Sequence, residues 1–157
     1  MSQVSFENRT VIVTGAGNGL GKAYALDLGS RGAKVVVNDL GGAVDGSGSG
    51  STPADEVVNE IIANGGEAVA NYDSVASKEG GESIVQTAID NFGTVDAVVN
   101  NAGILRDKSF ANMSEEELSL IIDVHLKGTF FVSQPAFKAA VSHTHLRAHE
   151  TSRNRVC

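Results

Sequence analysis

The chain has almost no cysteine. Of its 157 residues only the last, Cys157, is one, so there is no disulfide framework and a reducing compartment is the default. Basic residues are also scarce: 12 Lys and Arg against 19 Asp and Glu leave a net charge of −7. That balance argues against nucleic-acid phosphates or an anionic membrane as the main partner, though not against an anionic cofactor held by local backbone amides. No apolar run approaches the roughly 20 residues of a membrane span, and the N-terminus lacks the basic-then-apolar pattern of a secretory signal. The expectation is a soluble, intracellular single domain, long enough for a real core.

What the chain does have is a concentrated motif near its start, Val11-Ile12-Val13-Thr14-Gly15-Ala16-Gly17-Asn18-Gly19-Leu20-Gly21. Three branched apolar residues in a row suit a parallel strand covered on both faces. Gly15, Gly19 and Gly21 then remove side chains where the backbone must turn tightly and admit a ligand. The amides that open the following helix would face that gap, where unpaired N–H groups and the positive end of the helix dipole favour a diphosphate. A glycine triplet alone also fits a plain strand-to-helix turn, so its weight depends on the motifs later in the chain.

Taken in order, a strand over Thr10 to Thr14 leads into a helix with Leu20, Ala23, Tyr24, Leu26 and Leu28 at helical spacing, stopped by Gly32. A second strand, Lys34 to Asp39, ends in an acid about 20 residues past the glycine turn, the interval at which dinucleotide folds hold the adenosine ribose. Asp39 alone is equally a carboxylate that ends a strand; beside the glycine turn, the ribose reading is favoured. Such a carboxylate accepts bonds from both ribose hydroxyls and repels a 2′-phosphate, and no arginine adjoins it, which predicts NAD over NADP. Gly41 to Thr52 is rich in Gly and Ser, but strand and helix alternation resumes at once, so it is not read as a domain boundary.

A helix from Pro53 to Asn64-Gly65, a third strand over Glu67 to Tyr72, a helix over Lys78 to Phe92 and a fourth strand over Val95 to Val99 continue the alternation. Strands joined by helical crossovers are parallel. Asp73 and Ser74, after the third strand, suit either the adenine edge of a ligand or a helix cap. After the fourth, Asn100, Asn101, Ala102 and Gly103 place polar amides and a small pair on the ligand side of the sheet, although adjacent asparagines are also ordinary turn formers.

The pair of motifs, Thr14-Gly15-(three residues)-Gly19-Leu20-Gly21 and Asn100-Asn101-Ala102-Gly103, each at a strand end, resembles the short-chain dehydrogenase/reductase family. Asn38-Asp39-Leu40-Gly41-Gly42, Ala70-Asn71-Tyr72-Asp73-Ser74-Val75, Gly103-Ile104-Leu105-Arg106-Asp107 and Val124-His125-Leu126-Lys127-Gly128 bring the resemblance to that family's peroxisomal (3R)-hydroxyacyl-CoA dehydrogenases, from Phe6 to Ala140. The resemblance implies an α/β, Rossmann-type doubly wound parallel sheet with strand order 3-2-1-4, truncated after the fourth strand and its following helix, with residues 1–140 a partial NAD-binding domain. It also implies oxidation of a (3R)-hydroxyacyl-CoA to a 3-ketoacyl-CoA by NAD in fatty-acid β-oxidation. A peroxisomal location is implied too, as is a homodimeric parent in which the helix from Ser114 meets the other subunit. Carried onto this chain, Gly15, Asn18, Gly19 and Leu20 would line the pyrophosphate and Asp39 would hold the ribose. Asp73 and Ser74 would meet adenine, and Asn100, Ala102 and Gly103 would lie near the nicotinamide.

The chain departs from the family in two places. His125 stands where many members carry an asparagine that helps hold a proton-relay water, on a helix opened by the capping pair Ser114 and Glu117. Histidine there fits the closer subfamily, and a lone helical histidine is more often structural than catalytic, so it is an auxiliary at most. The family's chemistry also needs a tyrosine, a lysine four positions later and a serine. The only tyrosines here, Tyr24 and Tyr72, have no lysine at that spacing. The chain therefore carries the cofactor half without a catalytic acid and base, and is expected to be inactive as it stands.

From Val141 the apolar pattern collapses. His143, His145, His149, Glu150 and Cys157 suggest a metal site, but the stretch resembles translated sequencing-adapter sequence, so 141–157 is read as a non-native tail without a metal. Two other readings stay in play: a non-catalytic dinucleotide-binding module, and a short-chain dehydrogenase for another alcohol such as a steroid. An uncovered Val95 to Val99 edge and a long helix with one unpaired face predict marginal stability and aggregation.

Overall fold

The computed structural model describes residues 4–41 and 53–144, with side chains as far as Val141. The Gly/Ser-rich stretch from 42 to 52 and the tail from 145, with His145, His149, Glu150 and Cys157, lie outside the described residues. Strands and helices alternate: β1 (Thr10–Thr14), α1 (Gly19–Ser30), β2 (Lys34–Asn38), α2 (Pro53–Ala63), β3 (Glu67–Asn71), α3 (Lys78–Phe92) and β4 (Ala97–Val99). A 3₁₀ turn at Phe110–Asn112 precedes α4 (Glu115–Ile122), and a π-helical turn, Asp123–Lys127, joins α4 to α5 (Gly128–Thr144). Among the described residues no helix is long and apolar enough to cross a membrane.

The strands are parallel, as the crossover pattern predicted, and lie in the order β3-β2-β1-β4. Alternation along the strands feeds two cores. Val11 and Val13 join Val35 and Val37 on one face, packed with Ala25 of α1 and Val57 and Ile61 of α2. Ile12 and Val36 point the other way, onto Ile84, Val85 and Ala88 of α3 and Val132 and Ala136 of α5. A sheet buried on both faces is what runs of valine and isoleucine, rather than alternating polar and apolar residues, specify. The caps are local: Ser77 Oγ accepts the Gly80 N–H at the start of α3, and Gly93, at φ 79°, closes that helix in the left-handed conformation.

Besides shifts of one or two residues at the ends of β2, α2 and β3, three boundaries differ from the sequence reading. The fourth strand is Ala97–Val99 rather than Val95 to Val99. Asp96 turns its carboxylate to the Thr10 N–H (2.9 Å) and to Arg9 (2.9 Å), so paired register with β1 begins at Val11 opposite Ala97. The single helix expected after Ser114 is divided by the π-helical turn, where Thr129 Oγ1 donates to the His125 carbonyl (2.7 Å). Ser114 and Glu117 do form the capping box. Finally, α5 continues through Val141 to Thr144, past the point where the apolar pattern fails, because a helix already nucleated on a packed face propagates at little further cost.

Candidate functional site

Because the strands are parallel, the loops after Thr14, Asn38, Asn71 and Val99 all leave the same edge of the sheet. They enclose a cleft of about 290 Å³. Of the residues singled out from sequence, Gly15, Asp39, Asp73, Ser74, Ala102 and Gly103 line it. Asn18, Gly19 and Leu20 are exposed and outside that lining, and Asn100 turns away to donate to Ser133 Oγ of α5 (2.9 Å).

The glycine turn is fixed by close approach on both sides. Gly15 has φ +62°, and a Cβ there would lie 2.8 Å from Ala102 Cα; a Cβ on Gly21 would collide with the Gly15 carbonyl oxygen. Asn101 holds the turn from below, its Nδ2 donating to the carbonyls of Thr14 (3.0 Å) and Gly15 (2.9 Å). Thr14 Oγ1 accepts from the N–H groups of Asn101 (3.1 Å) and Ala102 (3.0 Å). The ends of β1 and β4 are thus tied side chain to backbone in both directions. At the N-terminus of α1, Asn18 is extended and its side chain makes no capping bond, so the first helical N–H groups have no side-chain acceptor from within the motif.

Asp39 braces the same turn. Its Oδ2 accepts the Gly17 N–H (2.8 Å) and its Oδ1 the Gly41 N–H (3.0 Å). A Cβ on Gly17 would lie 2.8 Å from this carboxylate and 2.7 Å from Pro53 Cβ. A carboxylate offers about four acceptor positions, so two amides leave capacity for a ligand's hydroxyls. Asp73 Oδ2 accepts from Asn71 Nδ2 (2.9 Å) and Ser83 Oγ (2.7 Å), and Ser74 Oγ accepts the Ala76 N–H (3.2 Å). The α3 cap itself is Ser77, which removes the helix-cap alternative for Asp73 and Ser74.

His125 sits in the π-helical turn, with Nε2 3.0 Å from the Ile104 nitrogen and 2.9 Å from the Ile104 oxygen. Unprotonated, that nitrogen accepts from the N–H; protonated, it donates to the carbonyl. A Cβ on Gly103 would lie 2.8 Å from His125 Cε1. The imidazole therefore supports the Gly103-Ile104 wall of the cleft without being part of its lining. Neither tyrosine lines it either, and Tyr72 Oη donates to Asp55. Away from the cleft, Glu117 is held below the ordinary carboxyl range, mainly by the hydrogen bond from Lys108 (2.6 Å) and then by the Ser114 N–H. Glu116 is lowered by its own backbone N–H and then by Ser114.

Sequence reasoning gave no site role to Thr14, Gly17, Asn38 or Asn71, and none to Asn101 beyond a place on the ligand side of the sheet. A signal existed for Asn38: a polar residue closing Val35-Val36-Val37 and only 2% exposed must have internal partners.

The short chain dehydrogenase family pattern matches residues 9–145. The chain is 60% identical over 134 residues to the peroxisomal hydratase-dehydrogenase-epimerase of Saccharomyces cerevisiae, a match covering 85% of this chain and 15% of that protein. It is 57% identical over 136 residues to the peroxisomal multifunctional enzyme type 2 of Mus musculus, covering 87% of this chain and 18% of that protein. Among solved structures, a short chain dehydrogenase from Mycobacterium avium superposes with a TM-score of 0.82 at 48% identity, over 90% of this chain and 50% of that one. The chain thus spans under a fifth of the two peroxisomal relatives and half of the solved chain.

Proposed function

Since the chain belongs to the short-chain dehydrogenase family, we propose that its cleft is the NAD-binding half of an oxidoreductase acting on (3R)-hydroxyacyl-CoA in peroxisomal fatty-acid β-oxidation. The carrying observation is the junction of Gly15, Asp39, Ala102 and Gly103 in one cleft, with the turn so tight that Cβ atoms at 15 and 17 would collide. That cradle fits a dinucleotide: N–H groups at the start of α1 for the pyrophosphate, Asp39 for the ribose and the Ala102-Gly103 gap for a ring. NAD, when bound, supplies the hydride acceptor. The chain's own residues bind and orient it: Gly15, Asn18, Gly19 and Leu20 at the pyrophosphate, Asp73 and Ser74 at the adenine, Ala102 and Gly103 toward the nicotinamide, the Asn100 side chain being taken up by Ser133.

The substrate class and a homodimeric parent meeting through the helices from Ser114 onward come from the motif resemblance; the relatives' names add a peroxisomal setting and, for the Saccharomyces cerevisiae protein, a dehydrogenase. No tyrosine with a lysine four residues on lies in this chain, so binding without turnover is expected of it. Calorimetric titration of the chain with NAD and NADP tests the cofactor assignment. NAD binding at least about tenfold tighter is expected from repulsion between Asp39 and a 2′-phosphate; equal or reversed affinities overturn the NAD assignment, and binding of neither overturns the dinucleotide reading.

A further inference from the structure

At the end of β3 a buried asparagine spends its whole hydrogen-bonding capacity around one carboxylate. Asn71 is 6% exposed. Its Oδ1 accepts from the Asp73 N–H (3.0 Å) and Asn38 Nδ2 (2.9 Å), and its Nδ2 donates to Asp73 Oδ2 (2.9 Å) and Thr87 Oγ1 (2.9 Å). Thr87 Oγ1 gives its own proton to the Ser83 carbonyl (2.9 Å), so toward Asn71 it accepts. A backbone N–H only donates. These two neighbours fix which end of the amide is oxygen, and a flipped Asn71 would oppose donor to donor and acceptor to acceptor. Ser83 Oγ adds a second bond to Asp73 Oδ2 (2.7 Å), and Asn38 Nδ2 holds the Asp73 carbonyl (2.9 Å).

Asp73 is thereby clamped through its backbone on both sides and through one carboxylate oxygen. Oδ1, the other oxygen, accepts no hydrogen bond from a described residue, and Asp73 lines the cleft. A carboxylate oxygen is an acceptor without a proton, so it rewards a ligand edge that carries N–H and opposes one that carries a carbonyl. A clamped acceptor discriminates better than a mobile one, which would swing away from a mismatched edge.

We infer that Asn71, seconded by Ser83, is a positioning residue that presents Asp73 Oδ1 to the cleft and so makes it select a purine bearing an amino group, adenine, over the same ring bearing a carbonyl, hypoxanthine. The inference rests on the dinucleotide reading above. The test is calorimetric titration of the whole 157-residue chain with NAD and with nicotinamide hypoxanthine dinucleotide, for wild type, Asn71→Ser and Ser83→Ala, with circular dichroism melts alongside. Wild type is expected to prefer NAD by about tenfold, and each folded variant to reduce that ratio to about threefold or less.

A merely structural role for Asn71 would weaken both dinucleotides together and leave the ratio at the wild-type value, which overturns the inference. Ser83→Ala, which removes one partly exposed hydroxyl, decides the matter should Asn71→Ser fail to fold. Equal wild-type affinities overturn the inference while leaving the dinucleotide reading standing; no binding of either overturns both.

Discussion

The two flanks of the sheet are built to different standards. On the side of the candidate cradle every residue of β1 is buried and β2 is buried beyond Lys34, and Gly15 and Gly21 of the first turn stand where no Cβ fits. On the other flank, β4 has no fully buried residue and α4 has none. There α5 supplies Val132 and Ala136 to the core while Phe130 is 57% and Phe137 71% exposed. The contrast teaches that the cradle's backbone shape is determined many times over by its immediate neighbours, whereas β4 is only partly covered on either face, with Val99 against one core and Val98 against the other.

The comparison is most sharply tested at Gly21. Replacing it with alanine drives a methyl into the Gly15 carbonyl, and loss of about 3 kcal/mol or more is expected, read as a lowered urea midpoint; a wild-type midpoint would mean that the turn has slack. Asn101→Ala strips the carbonyls of Thr14 and Gly15 of their side-chain donor and should lose about 2 kcal/mol, together with dinucleotide affinity. On the β4 flank a paired experiment applies. Val132→Ala, at a fully buried site, should lose about 2 kcal/mol, and Phe137→Ala should change the same melt by less than about 0.5 kcal/mol. Equal losses at the two positions would erase the distinction between the flanks.

The smallest effect is expected at Glu117. Its folded pKa lies below the ordinary 4.5, so the ionised form favours the folded state. That contribution is present above about pH 4.5 and disappears as pH falls through the depressed folded value. Glu117→Gln should flatten the acid limb of the stability profile below pH 4.5 and leave the neutral region nearly unchanged, since its ion pair with Lys108 lies at the surface. An acid limb that keeps its slope in the variant would assign the acid loss to other carboxyls.

The parts legible in the sequence were those encoded by short-range pattern. The runs Val11-Ile12-Val13 and Val35-Val36-Val37, the breaker Gly32 and the Ser114–Glu117 box each act within a few residues, and the elements they predict are present. The parallel direction of the strands came from the crossover rule, which by itself does not fix their order. The limits of β4 were not legible, because Asp96 stops the strand by bonding to Thr10 and Arg9, more than 80 positions earlier. Nor was the division between α4 and α5, since α4, the π-helical turn and α5 read as one apolar-spaced run.

Within the candidate site the sequence proposed Gly15, Asp39, Asp73, Ser74, Ala102 and Gly103, and the parallel sheet brings these six to one cleft. It set both Asn100 and Asn101 on the ligand side but gave a cofactor role to Asn100 alone. Two adjacent asparagines are indistinguishable until the strand's end fixes which side chain turns toward Thr14 and Gly15 and which toward Ser133. Composition and periodicity by themselves determined the alternation of strands and helices, the parallel sheet and the position of the glycine turn, because each comes from local sterics and the burial of apolar faces. Only the tertiary structure decided that Asp39 braces Gly17, that Asn71 clamps Asp73 and that His125 supports Gly103, because hydrogen bonds and close contacts between distant positions exist only once the backbone has brought them together.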